Sequence, residues 1–394
     1  MIKITLKPKK EENLERFHPW IFSGAIQKMD GNPQEGDLVS ICSSQGKPLA
    51  VGHYAPTTIS IRILSFDPTE PINEDFWKGR LASAYNLRKQ LGFIRDDNDA
   101  YRLVHGEGDL MPGLIIDIYG ATAVMQAHTV GMHLVSKTIA KLLPEITEGK
   151  VNSVYYKSEN TLPYMANIET EDGFILGESE EVPVLENGIK FYPDWHKGQK
   201  TGFFLDQRDN RMLVEKFSKD KTVLNMFSYT GGFSLYALRG GAKSVTSIDS
   251  SAIAIDMAER NVALNIQEGD NRHQSLSEDA FKYLENMPND KYDLIILDPP
   301  AFAKHRKVLR NALSGYRKIN TMALRNIKPG GLLFTFSCSQ AVTKEDFRLA
   351  VFSSAAAAKR RVRILHQLTQ SADHPINIYH PEGEYLKGLL LYVE

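Results

Sequence analysis

Thr222-Val-Leu-Asn-Met-Phe-Ser-Tyr-Thr-Gly-Gly-Phe-Ser-Leu-Tyr-Ala-Leu, residues 222–238, is the stretch on which the fold class turns. It opens with a short apolar run ending near Phe227, passes through Ser228-Tyr-Thr-Gly-Gly, and enters an apolar helical segment at Leu235 to Leu238. A buried-type strand that leads through a glycine turn into a helix is the first half of a βαβ unit. Working outward from it, Ser244 to Ile248, the segment around Gln274, Tyr292 to Leu297 and Gly331 to Phe336 read as further buried strands, the earlier ones alternating with helices. Such alternation predicts a parallel, doubly wound α/β sheet.

Ligands of such sheets sit at the carboxyl ends of the strands, so the residues that end each strand are the candidate site. After the first strand, Phe227, Ser228, Tyr229, Thr230, Gly231 and Gly232 form a turn whose backbone can approach a ligand closely. The next strand ends in Asp249, placed to accept both hydroxyls of a ribose. Asp279, after the third strand, suits an adenine amino group. A dinucleotide would require the full G-x-G-x-x-G cradle, which is absent, whereas S-adenosylmethionine carries no phosphate and needs only a turn, a ribose acid and an adenine slot. The fourth strand ends in Asp298-Pro299-Pro300-Ala301-Phe302, where two successive prolines stiffen the turn, and the fifth ends in Ser337-Cys338-Ser339. The topology therefore predicts Asp298 and Cys338 on one cleft.

Upstream, Asp37 to Ile41, Pro48 to Tyr54 and Ile59 to Leu64 read as strands of a small β-rich module over residues 1–70. Residues 73–185 read as an α+β unit without a parallel βαβ rhythm, with strands at Leu114 to Tyr119, Ala121 to Ala127 and Val151 to Tyr156 and a helix near His133 to Leu143. Residues 186–394 would then hold the doubly wound sheet. Lys+Arg 47 against Asp+Glu 48 gives a net charge of -1, so a polyanion must be held by a local patch. The run Lys304, Arg306, Lys307, Arg310, Arg317, Lys318, Arg325, Lys328 contains no acid and starts beside the cleft, and Lys359, Arg360, Arg361 and Arg363 form a second cluster. The first run is placed to hold phosphates of an RNA. Two cysteines, Cys42 and Cys338, exclude a disulfide framework and a multi-cysteine zinc site, and no metal site is expected. No apolar stretch approaches the roughly 20 residues that cross a bilayer, and with no apolar leader at Met1 the chain reads as cytoplasmic.

These motifs, with Gly198-Gln-Lys-Thr-Gly-Phe-Phe-Leu-Asp-Gln-Arg208, together resemble the RlmI-type 23S rRNA cytosine-5 methyltransferases over nearly the whole chain. His18-Pro-Trp20-Ile-Phe22 with Gly36-Asp37 and Arg62-Ile-Leu64 resembles that family's N-terminal PUA domain, an RNA-binding β-barrel. Arg102-Leu-Val-His105-Gly-Glu107-Gly-Asp109 resembles its central domain, although the same residues fit turns and salt bridges. The resemblance implies a Rossmann-like class I methyltransferase domain and S-adenosylmethionine held by Phe227 to Gly232, Asp249, Asp279 and Asp298. It further implies that Gln199 and Lys200 close the pocket, that Cys338 is the nucleophile, that large-subunit rRNA is the partner and that the chain forms a homodimer. Two alternatives stay open at this level: exocyclic amino methylation, since Asp298-Pro-Pro-Ala-Phe partly matches an amino-binding motif, and a non-catalytic RNA-binding factor with the same fold.

Overall fold

The computed structural model describes residues 1–163, 168, 170–303 and 305–394, the side chain of Arg306 excepted. Lys304 therefore lies outside the described residues, as does the Arg306 side chain. The chain divides into two compact units: residues 1–187, 193–203 and 372–383 form one, and residues 188–192, 204–371 and 384–394 the other.

The first unit carries two sheets. Strands β1 (Ile2–Leu6), β2 (Trp20–Phe22), β3 (Ile26–Met29), β4 (Leu38–Cys42), β5 (Pro48–Tyr54) and β6 (Ile59–Ser65), with the short helix α1 (Glu12–Glu15), form a six-stranded sheet in the order β2-β6-β5-β4-β1-β3. Ile4, Leu6, Ile21, Val39, Ile41, Ile61 and Ile63 alternate inward to make its core. Helix α2 (Glu74–Gln90), capped by the Asn73 side chain, leads into β7 (Ala100–His105), β8 (Leu114–Tyr119), β9 (Thr122–Ala127), α3 (Val130–Ile146), β10 (Ser153–Tyr156), β11 (Gly173–Leu176) and β12 (Val184–Glu186). Strands β7 to β11 form one sheet in the order β11-β10-β9-β8-β7, and β9 pairs β10 in parallel. The expectation that this region lacks a parallel βαβ element is thus corrected: β9-α3-β10 is one. Helix α3 starts three residues earlier than the periodicity predicts because Thr129 caps it, and Pro144 lies within its last turn.

Arg102 to Asp109 form a buried ionic network in this unit. The Arg88 guanidinium pairs both oxygens of Asp109 and donates to the carbonyls of Arg102 and Asp373, while Arg102 pairs Asp117 through two bonds of 2.7 and 2.8 Å. The Asp373 carboxylate accepts from the Arg102 backbone N–H. The turn and salt-bridge role that the sequence left open for these residues is what is observed.

The second unit comprises β13 (Ile189–Phe191), α4 (Arg208–Phe217), β14 (Thr222–Met226), α5 (Gly232–Arg239), β15 (Ser244–Asp249), α6 (Ala252–Ala263), β16 (His273–Ser277), α7 (Ala280–Asn286), β17 (Leu294–Leu297), α8 (Leu309–Asn326), β18 (Gly331–Ser337), α9 (Lys344–Ala358), β19 (Val362–Leu368) and β20 (Lys387–Val393). Its seven-stranded sheet runs β16-β15-β14-β17-β18-β20-β19, parallel except for β20, and is the doubly wound sheet that the strand pattern predicts. The chain moves outward from β14 to β16 and then returns to β17 on the other side of β14, so the order reverses between β14 and β17. A hydroxyl and amide chain, Asn225 to Ser234 (2.9 Å), Ser234 to Ser247 (2.7 Å) and Ser247 to His273 (2.8 Å), ties α5 to three adjacent strands.

Candidate active site

The reversal between β14 and β17 puts four strand ends on one sheet edge: the turn after β14, Asp249 of β15, Asp298 after β17 and Cys338 after β18. The turn is backbone-strained. Phe227 and Tyr229 hold φ of 58° and 46°, and Gly231 has φ 82°. Aromatic residues rarely adopt this left-handed region, at a cost of about 1–3 kcal/mol each, and such strain collects where a ligand is gripped. The surroundings over-determine it: Ser228 N–H donates to Ile248 O, Gly231 N–H to Ser228 O, and the Asn261 amide to Thr230 O, all at 2.9 Å. A Cβ on Gly231 would lie 3.1 Å from that of Ala258, so the turn packs directly on α6.

Asp249 is fixed by this turn. One carboxylate oxygen accepts from the Tyr229 N–H and the other from the Ser251 N–H, each at 2.9 Å. Each oxygen keeps a lone pair for a ligand hydroxyl. Within the same turn the Ser228 and Thr230 hydroxyls are buried without a hydrogen-bond partner in the structure. Buried hydroxyls without partners are costly, and a polar ligand group at the turn relieves that cost. A glycine turn, two unsatisfied hydroxyls and a doubly anchored strand-end acid fit the amino-acid and ribose parts of S-adenosylmethionine. Asp279 is exposed and caps α7, accepting the Lys282 N–H at 2.9 Å, which leaves its second oxygen uncommitted by the cap. Gln199 and Lys200 are exposed residues of the first unit, where Lys200 O accepts from Gln126. The later half of the same motif belongs to the second unit: the Phe204 ring meets that of Tyr229 at 5.2 Å, and Asp206 accepts from the Tyr385 hydroxyl at 2.6 Å.

The Asp298-Pro-Pro turn and the Ser337-Cys338-Ser339 turn touch each other. The Cys338 thiol, half-buried, lies 3.9 Å from the Pro299 carbonyl, and Ser339 Oγ donates to Ala303 O. Ser337 and Ser339 are fully buried, so they brace the turn rather than line its mouth: Ser337 Oγ donates to the Tyr316 hydroxyl of α8 at 2.9 Å. The Phe302 ring packs at a tilt on Tyr316, centroids 4.7 Å apart, and on the backbone at Gly315, where a Cβ would lie 3.0 Å away. Burial, and secondarily the charges of Cys338 and Asp298, push the Tyr316 hydroxyl up to about 12, so it stays neutral.

Two residues of this site carry no recognised strand-end signal. Tyr316 reaches it from mid-helix, and Lys387 from the start of β20, where its Nζ donates to the carbonyls of Ser339 (2.5 Å) and Val342 (2.6 Å). A lysine opening an apolar strand was the available clue, because lysine is rarely buried without a partner.

The basic run is sorted by the structure. Lys307 and Arg310 are exposed at the start of α8. Arg317, Lys318 and Arg325 line an open cleft of about 700 Å³ along that helix. Lys318 pairs Glu285 at 2.7 Å and Lys328 pairs Asp293 at 3.0 Å, acids supplied from outside the run. In the second cluster, Arg360 is corrected from a surface charge to a helix cap: it donates to the carbonyls of Leu324, Ile327 and Glu394. Trp20 donates to Glu107 at 2.8 Å and packs on His380 at 4.3 Å, whereas Phe22 is exposed. Among the described residues no group of acidic, histidine and cysteine side chains is arranged to hold a metal, and no helix is long and apolar enough to cross a membrane.

Comparison with known proteins bears on this geometry. Residues 167–377 match the family model described as S-adenosylmethionine-dependent methyltransferase, and residues 4–66 match a PUA-like domain. The chain is 38% identical to "Ribosomal RNA large subunit methyltransferase I" of Erwinia tasmaniensis over 392 residues, covering 98% of both chains. It is 42% identical to the protein of the same name from Pseudoalteromonas translucida over 396 residues, covering 99% of both. A solved structure of a candidate SAM-dependent methyltransferase from Streptococcus mutans superposes with a TM-score of 0.83 over all of both chains at 22% identity, which bears on the fold alone.

Proposed function

The chain belongs to the ribosomal RNA large subunit methyltransferase I family of S-adenosylmethionine-dependent enzymes, and on that premise we propose that it methylates carbon 5 of a cytosine in large-subunit rRNA through Cys338. The observation that carries the finer reading is the half-buried Cys338 thiol against the Asp298-Pro-Pro turn, at the carboxyl edge of the sheet.

S-adenosylmethionine, when bound, supplies an electrophilic methyl group; Phe227 to Gly232 and Asp249 would hold it, with Asp279 and Asp298 as further proposed contacts. The chain's task is to make a poor carbon nucleophile reactive. The Cys338 thiolate bonds C6 of the base, and the C5–C6 π pair moves to C5, which then attacks as an enamine does. Asp298 accepts from the N4 amino group, and from N3 once the adduct carries a proton there, and so steadies the adduct. Once C5 is methylated, a base takes the C5 proton, that electron pair restores the double bond, and the C6–S bond breaks to return the thiolate. The position after Pro300 is Ala301, so this turn offers no second thiol as the base. Exposed Lys307 and Arg310 would hold phosphates beside the presented base, with Lys304 and Arg306 completing the run.

Exocyclic amino methylation gains no support, because the Phe302 ring that its motif would present to the base is packed on Tyr316 and Cys338 would have no task. The test is to incubate the protein with labelled S-adenosylmethionine and rRNA from a strain lacking the enzyme, then identify the labelled nucleoside by mass spectrometry. The expected product is 5-methylcytidine, abolished in Cys338→Ala with cofactor binding retained; label in an N-methylated base refutes the thiolate mechanism.

A further inference from the structure

The nucleophile reading requires a thiolate, and a free thiol with a pKa of about 8.5 is mostly protonated at neutral pH. Lys387 is 5% exposed, and an ammonium leaves water only at a cost of several kcal/mol unless it is compensated. Two of its three donors go to the Ser339 and Val342 carbonyls, in the turn that directly follows Cys338. The β18–β20 register sets Lys387 opposite Ser337, so the ladder itself delivers the ammonium to this turn.

The other charged groups around it are already occupied. Glu384 pairs Lys344, and Asp346 closes the capping box of α9 with Thr343. From β17 and α8 the turn faces Asp298, whose carboxylate opposes a thiolate, and Tyr316, which is neutral. We propose that the Lys387 ammonium is the positioning residue that holds Cys338 as a thiolate and fixes the turn that aims it. This rests on the reading of Cys338 as the nucleophile. Burial lowers Lys387 to about 8, and the charge of Cys338 acts against that fall. Electrostatic coupling is reciprocal, so the ammonium that feels the thiolate also stabilises it.

The test is the pH dependence of Cys338 alkylation by iodoacetamide in the full chain, read by peptide mass spectrometry. Cys42 is fully buried and serves as the internal control. Lys387→Gln keeps a donor for the carbonyls but removes the charge. Its profile is expected to move up by about one pH unit, with alkylation roughly tenfold slower at pH 7, while Lys387→Arg stays near the wild type. S-adenosylmethionine binding, measured in parallel, reports whether each variant is folded. An unmoved profile in folded Lys387→Gln overturns the proposal. So does a wild-type inflection at or above about 8.5, which needs no variant. Formation of 5-methylcytidine by Cys338→Ala would instead sink the nucleophile reading while leaving the alkylation result intact.

Discussion

Replacing Asp249 by Asn tests whether the strand-end acid binds the cofactor or only shapes the turn. In the structure both carboxylate oxygens accept a backbone N–H, from Tyr229 and from Ser251, each at 2.9 Å. Asn retains one acceptor oxygen, so one N–H must face an amide NH2 and lose its partner, at about 1–3 kcal/mol. That cost falls on free and bound protein alike and appears as lower stability. The binding term is separate: an ionised acceptor to ribose hydroxyls is worth about 1.5–3 kcal/mol. Asp249→Asn should therefore weaken S-adenosylmethionine binding by roughly 10- to 150-fold. S-adenosylhomocysteine, which shares the ribose, should lose as much. Calorimetric titration of both ligands, with thermal unfolding of the variant alongside, separates the two terms. Equal affinity in a destabilised variant would refute the ribose role and leave Asp249 as a backbone anchor.

At Asp279, Asn is an equally good helix cap, so Asp279→Asn should leave stability unchanged, and an affinity loss of roughly fivefold in calorimetry would report an adenine contact rather than a broken helix. The double substitution Lys307→Ala with Arg310→Ala should flatten the dependence of log Kd for rRNA on log salt by about 1.5 in slope, measured by filter binding, without altering cofactor affinity. Burial holds His53 down to about 4 in the folded chain against an ordinary 6.5, so the unfolded chain binds the extra proton between those values. Stability contributed by the neutral ring is complete above about pH 6.5 and is lost by up to about 3 kcal/mol as pH falls towards 4. His53→Gln should lose correspondingly less between pH 7 and pH 4.5 in urea titrations.

What was legible in the sequence was local to a strand and its end. The buried runs of β14, β15, β17 and β18 are apolar because a parallel sheet is covered on both faces, and the residues just past them face the ligand edge by topology alone. Asp249, Asp298 and Cys338 could therefore be placed without a contact map. The parallel β9-α3-β10 element escaped because Gly131 and Pro144 blur the helix ends and shorten the periodic core of α3.

Charge was the poorer guide, for a physical reason. The fate of a charged side chain is set by its partner, and the partners here come from distant parts of the chain. Arg360 reads as one of a surface cluster, yet its guanidinium closes the carbonyl end of α8, more than 30 positions earlier. Lys318 and Lys328 belong to a run without acids, yet Glu285 and Asp293 reach them across the fold. Lys387 is the sharpest case. It opens an apolar run, Gly388 to Leu391, of a strand paired on both sides, and its acceptors are two main-chain carbonyls that carry no side-chain signature at all. A backbone acceptor leaves no mark in composition, so only the lysine itself, opening an apolar strand, marked this buried cation. The same logic weighs the remaining basic residues: among the described residues, Lys307 and Arg310 are exposed and their side chains make no hydrogen bond or ion pair, and theirs are the charges proposed to act on an RNA backbone.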